Sequence, residues 1–310
     1  MTDILTLTVN PALDIATATD LIEPSRKLRC ETPRYDPGGG GINVARAAHR
    51  LGGEALAVFP AGGASGQMIE VLLGEEGVPN VAMPVPGITR ESLAVVERQT
   101  GRQYRFLLPG PELAPRDQER LLAALAAQMT PRTRFVVASG SLPPGAPADF
   151  YRRVARLARE RGADFALDTS GEALTGAGTG IFLIKASLRE LGQLRGETID
   201  GEAALEQAAR AVIAEGRCTV LVVSLGADGA LLATAEECRR FPAARVTAVG
   251  SVGAGDSMLA GILVALTRGW ALVEAVRFGV AAGSAALLRP GTELCRRDDT
   301  ERLYRGLAPG

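Results

Sequence analysis

From about residue 113 onward, short apolar runs alternate with amphipathic stretches, and no other feature constrains the fold as strongly. A helical period around 113–129 leads to RFVVASG, another near 148–161 leads to DFALD, and IFLIK follows. A further helix around 201–215 leads to CTVLVVSLG, and apolar helices near 254–267 and 271–288 follow. Strands that are apolar throughout must be covered on both faces. The pattern therefore predicts an α/β fold, a doubly wound, mainly parallel sheet with helices on both faces. The runs GALLATA and ECRRF read as a hairpin beside it.

The first hundred residues are less regular. Ile4–Val9 reads as a strand ending at the turn signal Asn10-Pro11. The run GGGGINVARAAHRLGG opens an amphipathic helix, and ALAVFPAG is another strand. Residues 21–36 alternate like a strand, and 92–98 with 103–108 read as a hairpin split by Gln-Thr-Gly-Arg. These pieces interrupt the strand–helix alternation and are expected to form a small separate β-sheet, a lid. With 310 residues, 46% of them hydrophobic, one domain spanning 1–310 is expected, with lid strands inserted at about 15–36 and 88–108.

Composition removes several function classes. The net charge of −1 provides no field for nucleic acid or an anionic membrane. No run approaches the ~18 apolar residues that a bilayer span needs. The start MTDILTLTVNP is expected to be a first strand and not a signal peptide. Cys30, Cys218, Cys238 and Cys295 are scattered without a C-x-x-C pair, which suits reduced thiols in the cytoplasm and no zinc site. His49 is the single histidine and reads as an ordinary helix residue, so proton abstraction falls to a carboxylate. Lys27 and Lys185 are the only lysines, and neither belongs to a Walker A loop.

Five constellations could carry chemistry. In Gly250-Ser-Val-Gly253-Ala254-Gly255-Asp256-Ser, before the helix MLAGILVAL, glycines can point backbone N–H groups into one concavity at a helix N-terminus. Asp256 is then a candidate base, or simply a carboxylate that complements the helix dipole. Gly38-Gly39-Gly40-Gly41-Ile-Asn43 permits a ligand to approach the backbone, or forms a flexible loop. Asp14 follows the first strand, near the sheet's carboxyl edge where open α/β sheets bind ligands, or is a turn aspartate. Lys27, Arg29, Arg90 and Arg105 could clamp a substrate phosphate or stay solvated. Ser224-Leu-Gly226-Ala-Asp-Gly229 ends one strand, and Lys185-Ala-Ser187-Leu-Arg-Glu190 ends another, where a lysine and a carboxylate could serve phosphates and Mg²⁺.

Together GGGGINVARA, SGSLPPG at 139–145, LDTSGEAL at 167–174, VVSLGADGAL and SVGAGDSM resemble the ribokinase-like carbohydrate kinases of phosphofructokinase B type, especially their 6-phosphofructokinase branch. The likeness runs from NPALD to FGVAAGSAA. It implies ATP-dependent phosphorylation of fructose 6-phosphate, with Asp256 as base and Gly253–Gly255 as anion hole. Asp14, Gly38, Gly39 and Asn43 match sugar-hydroxyl binders, while Lys27, Arg90 and Ser139 match positions holding the 6-phosphate. Ser224, Gly226 and Gly229 match the nucleotide loop, Lys185 the ATP phosphates, and Glu190 a Mg²⁺ support acting through water. Val252, Ala286 and Gly291 match a monovalent-cation (K⁺) site. The resemblance further implies a homodimer joined through the lid sheets.

One departure stands out. The family commonly reads Lys-Pro-Asn-x-x-Glu where this chain has Lys185-Ala-Ser187-Leu-Arg-Glu190, so Ser187 retains a hydroxyl without the amide's reach. Sister activities toward tagatose 6-phosphate or fructose 1-phosphate remain open at this point. So does a sugar-phosphate-binding regulator without catalysis. A nicotinamide-dependent dehydrogenase is disfavoured, because no glycine fingerprint follows the first strand.

Overall fold

The structure, a computed structural model, describes residues 2–250, 252–289, 291 and 293–308. Its first half comprises β1 (Ile4–Leu7), β2 (Ala12–Thr19), β3 (Arg34–Gly38), α1 (Gly40–Arg50), β4 (Ala55–Ala61), α2 (Gly63–Glu75), β5 (Asn80–Pro84), β6 (Arg90–Glu97), β7 (Gln103–Leu107) and α3 (Pro115–Gln128). There follow β8 (Phe135–Ser139), α4 (Phe150–Glu160), β9 (Asp164–Asp168), α5 (Glu172–Thr175), β10 (Ile181–Ser187), α6 (Leu188–Arg195), α7 (Glu202–Ala214) and β11 (Cys218–Ser224). The hairpin β12 (Ala230–Ala233) and β13 (Cys238–Phe241), then α8 (Ala254–Thr267), α9 (Leu272–Ala286) and α10 (Arg297–Gly306), complete the order.

The large sheet has the order β13-β12-β11-β10-β9-β8-β1-β4-β5. From β11 to β5 every pairing is parallel, and the β12–β13 hairpin adds an antiparallel edge. Side chains alternate across it as the two-residue period requires. Phe135 and Val137 of β8 join the core under α1, α8 and α9, whereas Val136 and Ala138 join that under α3, α4 and α7. This double coverage is why these strands could be read as unbroken apolar runs. The chain order reverses between β1 and β8, which opens a crevice at the carboxyl ends of those strands.

A second sheet, β3-β2-β6-β7, carries the lid strands. The β6–β7 hairpin lies where alternation places it, but the strand expected at 21–36 does not. Its first strand is β2, starting directly after Pro11, and residues 20–33 form no strand. Pro11 precedes the first pairing residue, where its missing N–H costs no ladder bond, while Pro24 and Pro33 interrupt the later segment. Register in this sheet places Asp14 between Asp36 and Ser92, and Ala12 between Gly38 and Arg90. Among the described residues no helix is long and apolar enough to cross a membrane.

Candidate active site

Asp256 lies in the first turn of α8, facing the crevice. The turn before it depends on Gly253, whose φ of 75° is left-handed and strained for any residue with a Cβ. Asn43 of α1 donates from Nδ2 to one Asp256 oxygen at 3.0 Å, and Ser139 at the end of β8 donates to the other at 3.4 Å. Burial, then repulsion from Asp168, pushes the Asp256 carboxyl up to about 6, against the opposing pull of Asn43, Lys185 and Ser139. The group is thus mostly a carboxylate near neutral pH, yet far more basic than an ordinary aspartate.

On one side of Asp256 the lid and the glycine run gather polar side chains. A Cβ on Gly38 would stand 2.3 Å from an Asp14 carboxylate oxygen, and one on Gly40 2.1 Å from Ser139 Oγ. The backbone here approaches functional side chains more closely than any other residue type permits. Burial raises Asp14 to about 6; Arg90 opposes this, Asp36 adds to it, and a hydrogen bond from Ser92 and the charge of Arg105 oppose it. Arg90 donates to the Asn10 carbonyl at 3.3 Å, and its Nε is buried without a partner. Lys27 behaves differently. It lies exposed between β2 and β3 and makes no hydrogen bond or ion pair with the described residues.

On the other side, strands β9, β10 and β11 end together. Lys185 Nζ lies 2.8 Å from Asp168 Oδ2, both nearly buried. Burial works against the Lys185 ammonium, but Asp168, Asp256 and Glu190 outweigh it and raise its pKa. A Cβ on Gly255 would stand 2.7 Å from Lys185 Nζ, so the glycine turn brings the ammonium against the start of α8. Beyond it lies a cavity of about 570 Å³, lined by Ser224, Gly226, Gly229, Met258, Val280 and Leu287 among others. Its apolar walls suit a base and its glycine turns suit phosphates.

Residues 8–299 match the family model described as pfkB family carbohydrate kinase. The chain belongs to this family. It is 52% identical to the ATP-dependent 6-phosphofructokinase isozyme 2 of Mycobacterium tuberculosis, over 97% of this chain and 88% of that one. It also superposes on phosphofructokinase-2 from Escherichia coli, solved in complex with potassium, with TM-score 0.94, 41% identity and 99% of each chain covered. The same protein in complex with fructose-6-phosphate gives TM-score 0.92 at 41% identity and 99% coverage of each chain. Its tetrameric inhibited form gives 0.92 at 40%, again with 99% of each chain covered.

That tetrameric form corrects the expectation of a homodimer joined through the lid sheets. The lid exposes Tyr35, Phe106, Leu107 and Leu108. Exposed apolar side chains of this kind carry no information about how many subunits assemble around them.

In this pfkB kinase the unusual Ser187 acts as helix cap. Its hydroxyl accepts from the Glu190 N–H at 3.3 Å, and Glu190 Oε2 accepts from the Ser187 N–H at 2.7 Å, a reciprocal capping box that starts α6. The Glu190 carboxylate is therefore held by the Ser187 backbone N–H, while the serine hydroxyl caps the Glu190 N–H. Ser224, paired with Ser187 in register, donates to the Ala186 carbonyl at 3.3 Å. Among the described residues no three acidic, histidine or cysteine side chains gather into a metal cage. Mg²⁺ needs no such cage, since it keeps several waters and binds mainly through nucleotide phosphates with one or two carboxylates. Val252 and Gly291 line one groove, and the Ala286 carbonyl accepts from the Arg289 N–H at 3.1 Å. Ser251, Pro290 and Thr292 beside them lie outside the described residues.

Two participants escape a reading of the sequence. Asp168 was visible as the carboxylate closing DFALD at the sheet's carboxyl edge, a position that could have singled it out. Arg46 had no such signal, since it reads as one more polar residue in INVARAAHR, yet it is fully buried. His49, in the same helix, is exposed, as an ordinary helix residue would be.

Proposed function

We propose that the chain is an ATP-dependent 6-phosphofructokinase, transferring the γ-phosphoryl group of ATP to the 1-hydroxyl of fructose 6-phosphate and releasing ADP and fructose 1,6-bisphosphate. The observation that carries this reading is the position of Asp256. It stands between the polar side chains of Asp14, Asn43, Arg90 and Ser139 and a cavity that opens on Gly255, against which Lys185 lies. A relative 52% identical bears the name of that activity, and a second has been solved with fructose-6-phosphate.

In the proposed mechanism, Asp14, the backbone at Gly38 and Gly39, and Asn43 hold the sugar hydroxyls, while Arg90, Ser139 and Lys27 serve its 6-phosphate. Asp256 accepts the proton of the 1-hydroxyl as that oxygen attacks the γ-phosphorus in line. Charge growing on the transferred group faces the N–H groups of Gly253, Ala254 and Gly255 and the Lys185 ammonium. Gly226, Gly229 and Ser224 border the nucleoside end, and Ser187 acts through Glu190. Glu190 would support Mg²⁺, and the ion would supply positive charge to the nucleotide phosphates. K⁺ would be held by backbone carbonyls at Val252, Ala286 and Gly291; a relative has been solved in complex with potassium. Cytoplasmic residence is part of the same reading, since all four cysteines are unpaired.

The direct test is ADP release with Mg-ATP across fructose 6-phosphate, tagatose 6-phosphate, fructose 1-phosphate and fructose. Fastest turnover on fructose 6-phosphate is expected. Preference for another sugar phosphate would reassign the substrate. Binding without turnover would favour a regulator.

A further inference from the structure

Among the described residues Arg46 is the largest side chain to be wholly buried, and no step of the chemistry uses it. Its guanidinium joins α1, the end of β3 and the residue just past α2. Nε donates to the Glu76 carboxylate just past α2 at 3.0 and 3.1 Å, and Nη2 also binds that carboxylate. Nη1 donates to the Pro37 carbonyl at 2.9 Å and to Asn43 Oδ1 at 3.4 Å. A carboxamide has one accepting and one donating end. With Oδ1 turned to Arg46, the donating Nδ2 faces Asp256, where it lies 3.0 Å from Oδ2. Pro37 also immediately precedes Gly38, whose backbone lies against the Asp14 carboxylate.

We infer that Arg46, held by Glu76, is a positioning residue: it fixes the Asn43 amide with Nδ2 toward Asp256 and clamps the Pro37–Gly38 backbone beside Asp14. This rests on Asp256 being the base. A lysine at position 46 can keep the ion pair with Glu76, but its single ammonium cannot span Glu76, Pro37 and Asn43 in the planar fork that arginine provides. The freed amide then rotates, and Asp256 loses a donor to its charged form. The other groups facing that carboxylate, Ser139, Lys185 and Asp168, stay in place.

The test is a double-mutant cycle on kcat with Arg46→Lys, Asn43→Ala and both, with Asp256→Asn measured alongside and melting temperatures recorded for all. Arg46→Lys is expected to lower kcat about 10- to 30-fold with KM for ATP nearly unchanged, and the acid limb of its kcat profile moves to higher pH. In the Asn43→Ala background the same substitution costs less than about twofold, because the amide it orients is gone. Effects that multiply, or a lowered melting temperature with kcat and the acid limb unchanged, would reduce Arg46 to a structural residue. Glu76→Gln provides a second, milder loosening if Arg46→Lys folds poorly, and is expected to shift the acid limb in the same direction; an unmoved limb counts against the inference. Normal turnover by Asp256→Asn would instead overturn the base assignment itself.

Discussion

Lys185 Nζ and Asp168 Oδ2, 2.8 Å apart, join neighbouring strand ends at the floor of the crevice. Side-chain exposures of 9% and 12% make this pair nearly dry. Each charge is tolerable there only because of the other. Replacing Lys185 by Met should therefore lower unfolding stability by about 3–5 kcal/mol, since Asp168 is left buried and unpaired. Asp168→Leu added to it should restore most of that stability while ATP-dependent turnover stays lost. Chemical denaturation beside a turnover assay checks both, and an unstable double variant would mean the pair matters through packing.

Asp256→Asn should lower kcat by roughly 10²–10⁴ with fructose 6-phosphate binding nearly unchanged. Calorimetric titration of the sugar phosphate into the variant separates the two. Loss of binding in parallel with kcat would show Asp256 acting mainly as a sugar ligand.

Both Asp14 and Asp256 are raised to about 6, chiefly by burial. Above that pH both are ionised, and as pH falls through it both take up protons. At saturating sugar kcat should follow Asp256 alone and fall tenfold per pH unit, whereas kcat/KM for the sugar steepens toward a hundredfold. The stability effect has the opposite sign to that of a salt-bridged aspartate. A folded-state value of about 6 against an ordinary 3.8 means that stability is lost as pH rises through the folded value. Asp256→Asn should thus melt higher than the parent at pH 8, with the difference fading toward pH 4.

Two glycine substitutions should separate the halves of the site. Gly255→Ala presses on Lys185 Nζ, the far end of a flexible chain, so KM for ATP should rise roughly tenfold with little loss of stability. Gly38→Ala places a methyl group 2.3 Å from an Asp14 oxygen and should raise KM for the sugar phosphate instead. Steady-state kinetics with each substrate varied in turn decides it. Equal effects on both constants would mean that the two halves move as one body.

Much of this molecule was legible from local chemistry. Strands of the large sheet announce themselves because double coverage removes every polar alternation, as in Val136–Ala138 and Val220–Val223. The glycine turn before Asp256 is equally plain, since only a backbone crowded by side chains and a left-handed φ at Gly253 make such a run worth its entropy. Strand β2 was less visible. Its residues ALDIATAT carry little apolar contrast, and only pairing with β3 and β6 makes them a strand.

Sequence by itself determined the sheet, the candidate base and the glycine runs, because period, turn chemistry and backbone freedom act over a few residues. Tertiary structure alone decided which charges meet. Asp168 finds Lys185 on the neighbouring strand, Ser187 turns its hydroxyl to the Glu190 N–H as a cap, and Arg46 is buried between Glu76, Pro37 and Asn43. The physical reason is that desolvation and charge pairing depend on what the fold brings from far along the chain. An arginine in a helix has the same local chemistry whether it ends in water or in the core.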